Sequence, residues 1–186
     1  MENLWKKSAF FGVDIMGLSG ISLMHRGRLW IKVGKHPRSG EKNMFIGEYS
    51  HTIDSKNRLA IPSKFRKELG GRAVITRGID NCLVIYPIEE WEDLAKKLGS
   101  LPTTQIDSRK FSRIMLAGAM DSKLDNLGRI LIPDYLKDYA SLKKNVVIIG
   151  IFNRLEIWDE ANWQEYKKKT EMSVGDIAER LKEMGV

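Results

Sequence analysis

The chain has 186 residues, 42% of them hydrophobic and 30% charged, a composition typical of a globular protein with one compact domain or two small ones. No apolar run approaches the roughly 18 residues that a membrane span needs. The single cysteine excludes an internal disulfide framework, and three histidines leave little for metal or acid–base chemistry. The net charge is +7, with eight basic against three acidic residues in 1–43 and 23 against 21 in the remainder. The excess of positive charge therefore lies mainly in the first 43 residues. It does not by itself predict that the remaining residues bind nucleic acid.

Residues 1–43 lack a sustained hydrophobic period, and three interpretations of them stay open. Two lysines before an apolar stretch resemble a secretory signal, although Asp14 interrupts that stretch and no small-residue cleavage site is evident. The segment is also basic enough for a DNA-binding arm. In the third interpretation translation starts at Met44, because Gly40-Glu41 can be encoded by GGAGAR, a ribosome-binding sequence, a short distance before the Met44 codon. Ordered patterning begins directly after Met44, which supports this third interpretation.

From Met44 onward the patterning predicts one series of elements twice: strand, turn, strand, short helix, β-hairpin and helix, with a further helix after each series. Pro62 and Pro133 each end a second strand and precede a short helix. The predicted strands are 46–53, 58–61, 73–77 and 82–86 in the first series and 119–124, 129–132, 146–150 and 155–158 in the second. The predicted helices are Ser63–Leu69, Glu89–Leu98, 105–117, Asp134–Tyr139, Glu160–Lys169 and 173–184.

Finer predictions concern the hairpins and the helix faces. The first hairpin turn is expected to contain Gly78, Asp80 and Asn81, and the second Gly150 and Asn153. Val146–Ile149 is apolar at every position, which indicates burial on both faces of a sheet. The predicted core positions of the longer helices are Leu94, Leu98, Ile114, Ile177 and Leu181.

The two series are copies of one unit. Ile53–Pro62 aligns with Leu124–Pro133 at an offset of 71, and Leu83–Tyr86 aligns with Leu155–Trp158 at an offset of 72. Matches that keep the same order over about 45 residues indicate an internal duplication.

A turn with the pattern Asp-x-x-x-Arg is the most informative feature of each copy. It reads Asp54-Ser-Lys-Asn57-Arg58 in the first copy and Asp125-Asn-Leu-Gly128-Arg129 in the second. Asn and Gly tolerate positive φ most readily, so the residue before the arginine is predicted to adopt that conformation in both turns. The aspartate can accept hydrogen bonds from backbone N–H groups of its own turn. The arginine can pair with this aspartate, present its donor fork to a phosphate or a guanine edge, or do both.

Four stretches of the sequence resemble motifs of MraZ proteins. They are Met44–Arg66, Thr76–Leu83, Tyr86-Pro87 with Trp91, and Leu124–Pro133. The resemblance covers 44–186 and leaves out 1–43, because members of the family typically begin at the residue that matches Met44.

The resemblance implies an α+β fold in which two tandem, pseudo-symmetric units of the AbrB/SpoVT swapped-hairpin (double-psi) type form one β core with peripheral helices. The expected division is a basic N-terminal extension (1–43), unit 1 (48–91), a connecting helical segment (92–118), unit 2 (119–163) and a C-terminal helix (164–186). It also implies a homo-oligomeric ring and transcriptional regulation by binding double-stranded DNA. The implied target has repeated sites in the promoter of the division and cell-wall gene cluster, including the regulator's own gene. We expect a cytoplasmic, nucleoid-associated protein with no cofactor, metal, membrane or small-molecule substrate.

Local charge distinguishes the two copies of the turn. Residues 54–67 hold five basic residues and one acid, whereas 121–138 hold three basic residues and four acids. The predicted DNA-binding residues are Arg58, Lys56, Lys64, Arg66 and Lys67, and the predicted structural signature is Asp54, Asn57, Asp125, Gly128 and Arg129. For the basic residues of the short helix, a solvated surface is the alternative. Arg129, which lies among acids, is expected to serve structure through its pairing with carboxylates.

Three other classes of function compete with a regulator. An enzyme is disfavoured because His51 is the only histidine in the patterned region, Cys82 is predicted to be a core residue, and no phosphate loop or metal-ligand spacing is present. A ring-shaped scaffold without DNA binding stays open, and salt-dependent DNA affinity separates it from a regulator. An AbrB-type antitoxin usually has one hairpin unit and a disordered tail, whereas this chain has two units and a tail that is predicted to be helical.

Overall fold

The computed structural model describes residues 24–25, 28–29 and 44–182. The chain divides into two compact units, Met1–Glu41 and Lys42–Val186. In the first unit, β1 (Met24–His25) pairs antiparallel with β2 (Arg28–Leu29). Apart from these four residues, the segment 1–43 and its three interpretations as a secretory signal, a DNA-binding arm or an untranslated region lie outside the described residues.

The second unit contains every strand and helix that the sequence predicts, with ends that differ by one or two residues; the predicted positions 183 and 184 lie outside the described residues. The first repeat consists of β3 (Phe45–Thr52), β4 (Arg58–Ala60), α1 (Ser63–Leu69), β5 (Arg72–Arg77), β6 (Leu83–Pro87), α2 (Ile88–Gly99) and α3 (Ile106–Ala117). The second repeat consists of β7 (Met120–Lys123), β8 (Arg129–Leu131), α4 (Asp134–Tyr139), β9 (Asn145–Phe152), β10 (Arg154–Asp159), α5 (Glu160–Glu171) and α6 (Val174–Lys182). The fold is therefore α+β, as expected.

Strands of the two repeats interleave in one six-stranded antiparallel sheet with the order β3-β9-β10-β6-β5-β7. The hairpins β5–β6 and β9–β10 form its centre and are joined through β6 and β10. Each first strand pairs with the hairpin of the other repeat, β3 with β9 and β7 with β5. Strands β4 and β8, again one from each repeat, form a separate two-stranded ribbon. Neither repeat completes its sheet without the other.

The main core lies between one face of the sheet and the β4–β8 ribbon. Leu59 and Ile130, the central residues of the ribbon, have no exposed surface. Phe65 of α1 packs edge-on against Phe45 of β3, with ring centroids 5.5 Å apart. Each such side chain contributes roughly 1.5–3 kcal/mol by its burial. The ribbon is thus fastened to the body of the protein by its inward-facing residues.

A second apolar cluster covers the opposite face of the sheet. It contains Cys82, Val84, Val147, Ile149 and Trp158. Val146 and Ile148 belong to the main core instead, so the prediction that this strand is buried on both faces is confirmed. The prediction that Cys82 is a core residue is also confirmed, and its burial raises the pKa of the thiol to about 12. A thiol with that pKa is not a nucleophile at neutral pH.

The prediction that Gly150 lies in a hairpin turn is wrong. Strand β9 continues to Phe152, and that residue takes the positive φ of 54° at the turn. Gly150 lies inside the strand, opposite Gly47 of β3. A Cβ at position 150 would come within 2.5 Å of backbone atoms of Phe45 and Ile46. The close approach of β3 therefore requires glycine here, because strands so near to each other leave no room for a side chain.

Helical spacing identifies the apolar faces correctly but not which of them are buried. Leu98 is buried, as predicted. Ile114 of α3 and Leu181 of α6, predicted as core residues, are 49% and 39% exposed. The reason is that within the described part of the chain no element covers the outward faces of these two helices.

We predict that Gly150→Ala destabilises the fold, because the added methyl group collides with the backbone of β3. The expected loss is about 1–3 kcal/mol, which lowers the melting temperature by about 2–4 °C for each kcal/mol in a chain of this size. The control is Gly99→Ala, where no atom lies within 4 Å of the new Cβ, and its melting temperature should stay unchanged or rise slightly. Equal melting temperatures for Gly150→Ala and the wild type would contradict the proposed collision.

Candidate nucleic-acid interface

The first turn of the ribbon is closed by the backbone and the side chain of Asp54. Its N–H donates to the Arg58 carbonyl at 2.9 Å, and the Asn57 N–H donates to the Asp54 carbonyl at 3.0 Å. Carboxylate oxygen Oδ1 accepts from the backbone N–H groups of Lys56 and Arg58 at 2.8 and 2.9 Å. Oxygen Oδ2 accepts from Nε and Nη2 of Arg58, both at 2.8 Å. The turn therefore holds the Arg58 guanidinium in a fixed direction while the side chain stays one-third exposed.

The second turn repeats this geometry almost atom for atom. Asp125 Oδ1 accepts from the backbone N–H groups of Leu127 and Arg129, each at 2.9 Å. Its Oδ2 accepts from Arg129 Nε at 2.7 Å and from Nη2 at 2.6 Å. Asn57 and Gly128 have φ values of 54° and 72°, so the predicted positive φ is confirmed in both turns.

The two turns are tied to each other through the backbone of the ribbon. The Ile132 N–H donates to the Asn57 carbonyl, and the Ile61 N–H donates to the Gly128 carbonyl, each at 2.9 Å. Each turn thus lies beside the end of the other repeat's strand, and the two Asp-x-x-x-Arg motifs form one continuous surface.

Each turn also lies against the first helix of the other repeat. The Asn57 side-chain amide donates to the Asp134 carboxylate and accepts from Lys137 Nζ at 3.0 Å, both on α4. On the opposite side the Arg66 guanidinium of α1 lies over Gly128, where a Cβ would come within 2.3 Å of its Nε. Gly128 is therefore required twice, for its positive φ and for the space that Arg66 occupies.

Strand alternation directs both arginines to the outer face of the ribbon. In the register of β4 and β8, Leu59 pairs with Ile130, and both point into the core. Their neighbours Arg58 and Arg129 therefore point outward. Arg129 Nη1 also lies 3.7 Å from the Asp54 carboxylate, and the Arg129 side chain is 24% exposed against 33% for Arg58. Both arginines pair with an aspartate, and Arg129 is the more enclosed of the two.

Hydrogen bonds keep both carboxylates ionised. The side chain of Arg129, followed by backbone N–H donors, lowers the pKa of Asp125 to about 2. The backbone N–H of Arg58 is the main cause that lowers the pKa of Asp54, with further contributions from the Lys56 N–H and the Arg58 side chain. The turns are therefore fully charged at neutral pH and hold their arginines in place before any partner binds.

The remaining predicted DNA-binding residues are not all on the ribbon. Lys56 is exposed at the tip of the first turn. Arg66 is half-buried, and its Nε donates to the Ile61 carbonyl at 2.7 Å, so it supports the turns as well as adding charge. Lys64 and Lys67 are exposed on α1. Sequence reasoning did not propose Lys137, although the offset of 71 makes it the counterpart of Arg66 and so pointed to it.

The residues considered for an enzyme are dispersed. His51 lies in β3, where burial and the charge of Arg66 lower its pKa. Cys82 belongs to the cluster on the far face of the sheet. Among the residues that the structure describes, no group of three or more histidine, cysteine, aspartate or glutamate side chains is arranged to hold a metal ion. In the same part of the chain, no helix is long and apolar enough to span a bilayer.

Comparison with known proteins gives one consistent result. The sequence model of a family described as "MraZ protein, putative antitoxin-like" matches residues 44–114 and again residues 115–184, which confirms the duplication. The chain is 49% identical over 138 residues to the protein named Transcriptional regulator MraZ of Caldanaerobacter subterraneus subsp. tengcongensis, covering 74% of this chain and 96% of that relative. It is 48% identical over 143 residues to the protein of the same name in Thermoanaerobacter pseudethanolicus, covering 77% and 100%. For the one in Natranaerobius thermophilus, the identity is 50% over 138 residues, covering 74% and 96%.

We predict that acid destabilises the fold between about pH 4 and pH 2, because the turn aspartates must then be protonated. The pKa of Asp125 is about 2 in the folded protein, below the ordinary carboxyl value of the unfolded chain. Its contribution to stability is therefore complete above the unfolded pKa and is lost as the pH falls through the folded one. Asp125→Asn should be less stable at neutral pH and should lose less stability on acidification, as measured by thermal melts from pH 2 to 6.

The matched control for this experiment is Asp107→Asn, which removes an exposed carboxylate from α3. It should follow the wild-type dependence of melting temperature on pH. If Asp125→Asn followed the wild-type dependence as well, the turn carboxylate would not be the group responsible.

Proposed function

The chain belongs to the MraZ family, and we propose that it acts as a sequence-specific transcriptional regulator that binds double-stranded DNA through the outer face of the β4–β8 ribbon. The observation that carries this proposal is the pair Arg58 and Arg129, diagonal to each other on one outward face that both repeats build. A two-stranded β-ribbon fits the major groove of DNA, and the planar arginine fork fits a guanine edge or a phosphate.

Arg58 is the principal contact in this proposal. Two of the five N–H donors of its guanidinium face Asp54, so the others are left for an acceptor on DNA. Arg129 uses the same two donors for Asp125 and brings its Nη1 towards Asp54 as well. The fork of Arg129 is thus more fully engaged inside the protein, which favours a structural role for it.

Positive charge around Arg58 supports the orientation of this surface towards a polyanion. Lys56 extends from the tip of the same turn, and Arg66 and Lys137 lie against the two turns. Lys64 and Lys67 on α1 are proposed to contact phosphates next to the ribbon. Phosphate contacts of this kind fix register and orientation, and they make the affinity depend on salt.

Assembly into a ring is part of the proposal, because one small patch with modest charge binds weakly and several patches on one particle gain by effective concentration. Support comes from the uncovered faces of α3 and α6, the last helices of the two repeats. Phe111, Ile114 and Ala117 line an apolar hollow of about 670 Å3 on α3, whose rim carries charged side chains of both signs. Helix α6 has no buried residue, and its apolar residues Val174, Ile177 and Leu181 recur at helical spacing along one face. In the proposed contact, α6 of one copy binds the α3 hollow of the next copy, so two different surfaces meet. Repeating such a head-to-tail contact generates a ring when the rotation between successive copies closes on itself.

The exchange of first strands between the hairpins of the two repeats supports an AbrB/SpoVT-type swapped-hairpin arrangement for each unit.

The proposed target is the promoter of the division and cell-wall gene cluster, including the gene of the regulator itself, and the proposed place of action is the nucleoid in the cytoplasm. Footprinting on the DNA upstream of its own gene tests the target directly. Protection of regularly spaced repeats is expected, and a uniform or absent footprint would contradict the proposal.

Two alternatives are distinguished by simple measurements. A ring-shaped scaffold without DNA binding would show no affinity for promoter DNA at any salt concentration, whereas a regulator loses affinity steeply as salt increases. An antitoxin function is suggested by the family description, and it predicts a protein partner that co-purifies with the chain. The presence of two complete repeats with a helix after each favours the regulator.

We predict that Arg58→Ala preserves folding and oligomer size but weakens promoter binding by about 1–3 kcal/mol for each contacted site if the arginine reads a base edge. Multivalent binding should multiply this loss until binding is nearly abolished. Arg58→Lys should restore little, because an ammonium group lacks the planar fork. Fluorescence anisotropy at two salt concentrations and thermal melts give the two readouts.

Arg129→Ala is the matched variant from the second repeat. It should lower the melting temperature and change DNA affinity less, since its guanidinium contacts both turn aspartates. Equal losses of DNA binding by Arg58→Ala and Arg129→Ala at unchanged stability would contradict the asymmetry. Unchanged binding by Arg58→Ala would contradict the site itself.

We predict that Ile114→Glu and Leu181→Glu each reduce the size of the oligomer, because a carboxylate cannot enter an apolar contact without a large cost in solvation. Sedimentation velocity should show smaller species, while the thermal melt of the chain changes little, since both side chains are exposed within one copy. The control is Ile79→Glu, which alters an apolar residue in the β5–β6 loop that is even more exposed, at 78%. An unchanged sedimentation coefficient for both variants would exclude these faces as the contact.

A further inference from the structure

The outer face of the ribbon has a pseudo-twofold backbone but not a twofold set of side chains. In the register of the two strands, Arg58 lies opposite Leu131, and Arg129 lies opposite Ala60. Leu131 and Ala60 are therefore equivalent positions, each the cross-strand neighbour of one arginine. The first arginine is beside a large apolar side chain and the second is beside a single methyl group.

Leu131 is anomalous where it lies. It is 45% exposed on the face that carries both arginines, whereas its strand neighbour Ile130 has no exposed surface. An isolated exposed leucine on a protein surface is ordinary. This one, however, is the direct neighbour of Arg58, since cross-strand partners have Cβ atoms about 4.5–5.5 Å apart. Leu131 is therefore the apolar side chain that lies beside Arg58 on the outer face.

The chemistry of the major groove supplies a partner for such a pair. The guanine edge presents the acceptors N7 and O6, which suit an arginine, and the apolar group in the same groove is the C5-methyl of thymine. A leucine beside a guanine-reading arginine is positioned for that methyl group on a base pair next to the guanine. An alanine beside Arg129 is too short to make the same contact.

We propose that Leu131 is a specificity-determining residue that contacts the methyl group of a thymine adjacent to the base pair read by Arg58. Because Ala60 is too short to make an equivalent contact, the two halves of the ribbon are not equivalent towards a base pair. This inference rests on the proposed function and adds the residue that reads the second base.

The test uses the full chain and a duplex from the region upstream of its own gene that footprinting shows to be protected. Each thymine of one site is replaced in turn by uracil, which removes the methyl group and nothing else. For the wild type we expect one position at which the replacement weakens binding about fourfold, the effect of one buried methyl group. Leu131→Ala should lose a similar factor on the thymine duplex and show no further loss with uracil at that position.

The controls separate the inference from the function on which it rests. Ile79→Ala, which shortens an exposed side chain away from the ribbon, should bind both duplexes as the wild type does. If Arg58→Ala bound normally, the proposed function would fail. If Arg58→Ala lost binding while Leu131→Ala kept the full sensitivity to uracil, or if the wild type had no sensitive thymine, only the present inference would fail. A change in oligomer size in Leu131→Ala, with equal losses on both duplexes, would assign Leu131 to a contact between copies and would also overturn it.

Discussion

The pairing of β4 with β8 is the constraint on which the rest of the site depends. This pairing joins two turns that are far apart in the chain, and its backbone hydrogen bonds run from the end of each strand to the turn of the other repeat. The buried pair of Leu59 and Ile130 fastens the ribbon to the core from below. Because Leu59 and Ile130 point into the core and side chains alternate along a strand, both arginines point outward.

The aspartate of each turn has a second task besides closing the loop. A guanidinium on a free arginine side chain samples many rotamers, and binding would have to restrict them. Here a carboxylate with a lowered pKa holds Nε and Nη2 in place in both turns. The pairing of Asp54 with Arg58 is thus compatible with DNA contact, because it orients the donor fork in advance. The structural and the functional interpretations of the motif describe two parts of one arrangement.

A duplicated backbone with diverged side chains accounts for the difference between the two halves of the ribbon. Asn57 and Gly128 adopt the same conformation, yet the amide of Asn57 bonds to α4, whereas Gly128 makes room for Arg66. The duplication gives both turns the same backbone geometry. The side chains that differ between the two copies determine which chemical groups each copy presents. One half of the surface is consequently more basic and more open than the other.

Local features of this protein could be predicted from the sequence alone. The order of strands and helices, the duplication and the positive φ of Asn57 and Gly128 all follow from periodicity and from the preferences of single residues. The family was also recognisable from its motifs. These properties depend on residues within a few positions of one another, so their causes are contained in short stretches of chain.

What the sequence could not determine depends on residues that are distant in the chain. That Gly150 belongs to a strand, with β3 too close for a side chain, follows only from the pairing of β3 with β9. The exposure of Ile114 and Leu181 follows from which helix faces another element covers, and an apolar period is the same in either case. The position of Leu131 beside Arg58 depends on the register of two strands from different repeats. Only the tertiary structure decided these points. A hydrophobic pattern indicates which side chains are buried, but the packing of the whole chain determines which surface covers them.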